Sequence, residues 1–247
     1  MAYEQLDADK IITTVDTLHR RIAERFSGAG LSQVCQKLLE IARSARERSA
    51  RIAGPIPGVR LVSGLVIAAI LGSTGWIAWI VFQGEPTRDV LRAPELIQVL
   101  EASMNAVLLI GATVFFFVTL ETRIKRGRAL RAIHELRCVA HIIDMHQLTK
   151  DPERLYRQGT DTESSPKRTM TEFELSRYLD YCSEMLSLTG KVAALYVQNF
   201  EDSVAVSAVN DVENLTTDMS RKIWQKLMVL HAGKPPEDAP AHRAAGS

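Results

Sequence analysis

Residues 61–84, LVSGLVIAAILGSTGWIAWIVFQG, run through 24 positions without an ionisable side chain, and residues 102–120, ASMNAVLLIGATVFFFVTL, do the same over 19. At about 1.5 Å per residue these stretches make helices of roughly 36 and 28 Å, against a hydrocarbon core of about 30 Å. Their reading is a two-helix transmembrane hairpin. The mean hydropathy of the whole chain, −0.02, hides them because some two hundred polar or amphipathic residues dilute the two blocks.

The flanks orient the hairpin. Arg43, Arg46, Arg48, Arg51 and Arg60 precede the first run against one acid, Glu47. Arg123, Lys125, Arg126, Arg128, Arg131 and Arg137 follow the second against Glu121 and Glu135. The connection between the runs has only Arg88 and Arg92, with four acids. By the positive-inside rule both termini are cytoplasmic and the connection faces outward. The first run starts too late and is too long for a cleavable signal peptide. The expected organisation is a cytoplasmic helical hairpin over 1–59, a transmembrane hairpin over 60–120, cytoplasmic helices over 121–232 and a disordered tail over 233–247. Within 60–120 the spans cover about 61–82 and 102–120, and the outer loop covers 83–101. A formal net charge of +1 argues against nucleic-acid partners, which require a basic excess. Cys35, Cys138 and Cys182 all fall on the cytoplasmic side and are expected to be free thiols.

Outside the spans the chain reads as helix throughout, with no strand-like alternation. Ile11, Val15, Leu18 and Ile22 form one stripe at helical spacing, and Ser27-Gly28-Ala29-Gly30 supplies a left-handed stop. A second helix is expected from an N-cap at Ser32, with Val34, Leu38, Ile41 and Ala45 inward, until the Pro55–Pro57 segment breaks it. After the second span, helix-forming sequence continues to about Leu148, with Ala132, Leu136, Val139 and Ile143 as its apolar face. A polar stretch over 149–170 has too little apolar content to pack and reads as a mobile loop. Thr171 with Glu174 matches a capping box and opens a helix ending near Phe200, with Leu175, Tyr178, Leu179, Tyr181, Cys182, Met185 and Leu186 inward. The last helix starts near Ser203 and carries Val209, Val212, Met219, Ile223, Leu227 and Leu230. The fold class is all-α, a membrane hairpin with a cytoplasmic helical bundle.

Three sets of residues are candidates for function. Gly64, Ala68 and Gly72 stand four apart in the first span, the pattern that lets a second helix backbone approach closely in lipid. His134, Cys138, His141 and Met145 lie on one stripe opposite the apolar face; imidazole and thiolate ligate zinc or copper, so His134, Cys138 and His141 are the metal candidates. The same stripe also fits a second packing face. Glu101 and Glu121 sit at opposite ends of the second span, where carboxylates could ring the mouths of an oligomeric pore. Residues 94–101, PELIQVLE, could form a short helix beside the membrane, as re-entrant pore helices do. No nucleophile elbow, glycine-rich phosphate loop or HExxH is present, so neither an enzyme nor a bound cofactor is expected.

The segments RAIHELRCVAHIIDMHQLTKDPERL (131–155), RYLDYCSEMLSLTGKVAALY (177–196) and SRKIWQKL (220–227) resemble uncharacterised bacterial two-span inner-membrane proteins. The resemblance implies a bacterial inner membrane and no particular reaction. The expected function is that of a non-enzymatic oligomeric scaffold or signalling and assembly protein, because the amphipathic stripes offer more surface than one short bundle needs. Its partners would be the lipid bilayer, further copies of itself and a cytoplasmic protein. The alternative is a homo-oligomeric ion channel or transporter, and the third possibility a metal-sensing membrane protein.

Overall fold

The computed structural model describes residues 5–83, 93–152, 162–165 and 169–232. The expected disordered tail lies outside the described residues, as do part of the expected mobile loop and residues 84–92 of the expected outer loop. Among the described residues the fold is all-helical. The helices are α1 (Ala8–Arg25), α2 (Gly30–Ala53), α3 (Pro57–Gln83), α4 (Ala93–Leu148), α5 (Glu172–Ala194) and α6 (Ser203–Ala232). The chain divides into two compact units, Met1–Ala53 with Ala129–Ser247, and Gly54–Arg128, so α4 contributes residues to both.

The first unit is a helical bundle with a continuous apolar core. Asp7 caps α1 by accepting from the Asp9 and Lys10 N–H groups, and Ile11, Val15, Leu18 and Ile22 are its buried stripe. Gly28 takes φ +81°, the left-handed turn that ends α1 and that a Cβ would penalise. Ser32 does not cap α2. The helix begins at Gly30, where a Cβ would lie 2.7 Å from the His146 ring, and Ser32 N–H donates to Ala29 O at 3.0 Å. Thr171 Oγ1 accepts from Glu174 N–H at 3.2 Å and Glu174 Oε2 accepts from Thr171 N–H at 2.8 Å, closing the expected capping box of α5. That helix stops at Ala194 rather than near Phe200, and Asp202 caps α6 by accepting from Ala205 N–H at 3.0 Å. α5 packs along α6 and α1 along α2, with α1 and α2 both meeting α5.

The last part of α4 belongs to this core. Ala129, Ala132, Ile133, Leu136, Val139, Ala140 and Ile143 are all buried, an apolar face at the helical period. Burial of each Leu or Ile side chain contributes about 1.5–3 kcal/mol, so this face holds α4 firmly in the bundle. Gln147 extends the same row and is buried although polar. Its carbonyl and its Oε1 each accept from Lys226 Nζ at 2.7 Å, and its Nε2 donates to Asp144 at 2.6 Å, which satisfies the buried amide.

The second unit is the pair formed by α3 and the first part of α4. Pro57 opens α3, the position where a missing N–H costs nothing. Residues 94–101 do not form a separate helix. They are the opening turns of α4, since proline is tolerated in a first turn and no breaker follows it. α3 and α4 are each long and apolar enough to cross a membrane, and almost none of their apolar surface is covered within the chain. Leu65, Trp76, Ile77 and Trp79 on α3 and Val107, Leu109 and Phe115 on α4 are all more than 60 % exposed. An apolar belt of this extent needs lipid or partners to cover it. The Thr74, Thr113 and Thr119 hydroxyls within it donate to carbonyls one turn back, whereas the buried Ser63 hydroxyl has no hydrogen-bond partner.

Candidate functional site

His134, Cys138, His141 and Met145 all lie on the exposed face of α4, while residues 132, 133, 136, 139, 140 and 143 are buried on the other side. The stripe is therefore no second packing face within one chain. Ile142, Met145 and Leu148 prolong it as exposed apolar side chains. Cys138 Sγ is 3.8 Å from His134 Nε2, one turn away. Among the described residues no three His, Cys, Asp or Glu side chains are gathered to hold a metal, so a single chain brings His134 and Cys138 together but completes no ligand set with His141.

Glu121 is committed to neighbours in its own unit. Arg60 Nε donates to it at 2.6 Å, Lys125 Nζ stands at 2.9 Å and Ile56 N–H donates at 3.3 Å. These partners, Arg60 foremost, pull its carboxyl down to about 2. A carboxylate paired in this way stays ionised and ties the start of α3 to α4. Glu101 is exposed, 20 residues earlier on the same helix. The Arg60 partner comes from α3, so spacing within the second span could not reveal it.

Gly64, Ala68 and Gly72 are exposed, and a Cβ added to either glycine would meet nothing. The covered face of α3 is instead Ser63, Val66, Ile67 and Ile70. The close approach that the small residues permit is thus unused inside the chain.

Two surface grooves lined by described residues lie on the bundle. One of about 570 Å3 is lined by Arg21, Arg25 and Arg177 over Phe173 and Tyr181. Its guanidiniums are already engaged: Arg21 pairs with Glu184 at 3.4 Å, Arg177 with Asp180 at 3.1 Å, and Arg25 lies 5.1 Å from the Phe173 ring centre. That offsets the positive field an anion would need. The second, about 470 Å3, has Thr14, Asp180, Glu184, Lys191 and the exposed Trp224 along it. It carries mixed charge, and within it the exposed Lys191 Nζ donates to the Ser187 hydroxyl at 2.7 Å. No family model, curated protein or solved structure matches the chain.

Proposed function

We propose that this is a non-enzymatic integral protein of a bacterial inner membrane whose cytoplasmic helical bundle assembles with further copies of itself. In this reading α3 and the first part of α4 span the bilayer as a hairpin with both termini in the cytoplasm. The uncovered apolar belt of the second unit supports the bilayer as its solvent, and the arginine-rich flanks support the orientation.

The observation that carries self-association is the outward row of α4. His134, Cys138, His141, Met145 and Leu148 follow one another at spacings of four, three, four and three, and every one is exposed. That is heptad spacing, which fits a seam between two helices, and two copies inserted alike in one bilayer would meet along it in parallel. The unused small-residue face of α3 offers a second contact of the same kind in lipid.

The detergent-corrected mass at micromolar concentration tests this. Two or more chains per particle are expected, and Met145→Glu combined with Leu148→Glu should shift particles toward single chains while leaving the helical melting transition in place. A single-chain mass for the unaltered protein would overturn the proposal.

A further inference from the structure

His134 and Cys138 stand at the separation of two ligands on one metal ion. Bonds of about 2.3 Å to sulfur and about 2.05 Å to nitrogen, opened to the tetrahedral angle, put S and N about 3.6 Å apart. The observed Cys138 Sγ to His134 Nε2 distance is 3.8 Å. Little side-chain movement would seat an ion between them. Both are exposed, so ligation displaces water and leaves the core untouched.

One chain supplies only half of a tetrahedral set. A symmetric parallel contact along the outward row of α4 supplies the other half, because it places each residue opposite its own counterpart. We propose that His134 and Cys138 from each of two copies form a Cys2His2 site for a zinc-class divalent cation at the contact between their α4 helices. The site rests on the self-association proposed above, and the partner copy completes it. Each Cys138 thiol gives its proton to solvent as its sulfur takes the metal, so two thiolates balance the two charges of the ion. Ile142, Met145 and Leu148 then supply the apolar contact beyond the metal layer.

Full-length protein in liposomes, stripped with a chelator and reloaded with zinc chloride, should hold about one zinc per two chains. His134→Ala and Cys138→Ser should each lower zinc content about tenfold or more, while His141→Ala should leave it within about twofold. Retention of zinc by the first two variants, or its loss in the third alone, would overturn the site. A short bismaleimide applied to the zinc-free protein separates this inference from the one beneath it, since Cys35 and Cys182 are buried. A crosslinked dimer that takes up no zinc removes the metal site and leaves self-association standing. No crosslink together with a single-chain mass removes both. One zinc per chain on a single-chain particle removes the shared site.

Discussion

Desolvation pushes the Cys35 thiol up to about 12, with the charge of Glu184 adding to it, and desolvation pushes Cys182 up to about 12 as well. At pH 7 such thiols are ionised to about one part in 10^5, against a few per cent for an ordinary exposed cysteine. Cys138 is exposed on the outward row of α4. Thiol chemistry in the folded protein should therefore be confined to one residue. Metal-free protein treated with a monofunctional maleimide at pH 7 should gain one adduct per chain by intact-mass measurement, mapped to Cys138, and three after denaturation. Rapid labelling of Cys35 or Cys182 under native conditions would show that the bundle core is open. Sequence already placed Cys182 on an inward helix face, but it assigned Cys35 no face, because the burial of Cys35 depends on helices brought from elsewhere in the chain.

Among the elements, helix identity follows from local chemistry, and helix ends often do not. The stripes of α1 and α6 and the capping box of α5 are written in residues three or four apart. Ala205 and Thr216 are buried on α6 beyond the expected stripe, small or polar residues that periodicity in large apolar side chains passes over. Gly30, where α2 starts, lies against the ring of His146, 116 positions away, whose Nδ1 lies 3.4 Å from the Tyr178 hydroxyl. The candidate stripe on α4 was legible as a spacing, whereas its exposure was not, because a helix with two usable edges can bury either. The Glu121 clamp makes a further element-scale test. Its folded carboxyl titrates near 2, below the ordinary value of 4.5, so between these values the unfolded state binds more protons and stability rises with pH. The α3–α4 clamp is fully present above about pH 4.5 and is lost as pH falls toward about 2. Thermal unfolding in detergent should then weaken with acid across that window in the unaltered protein more than in Glu121→Gln, whose amide does not titrate. Parallel pH profiles for the two would remove the clamp's role.

At the scale of the whole molecule, charge and apolar surface impose separate conditions that the proposed topology meets together. The belt on α3 and α4 has to be covered by lipid or protein, while the bundle buries most of its apolar stripes internally. The basic residues lie before the first uncharged run and after the second, and the connection between the runs has more acids than bases. By the positive-inside rule such flanks favour the proposed orientation, with both termini in the cytoplasm. Arg88→Cys marks the connection, and native Cys138 marks the bundle. In spheroplasts, a membrane-impermeant maleimide should label the introduced cysteine at position 88 at once and Cys138 only after permeabilisation, with Cys138→Ser providing the background for the first measurement. Labelling of Cys138 in intact spheroplasts, with position 88 protected, would mean the hairpin is inverted. Labelling of both without permeabilisation would mean that α3 and α4 do not span the membrane, and their apolar belt would then have to be covered by protein.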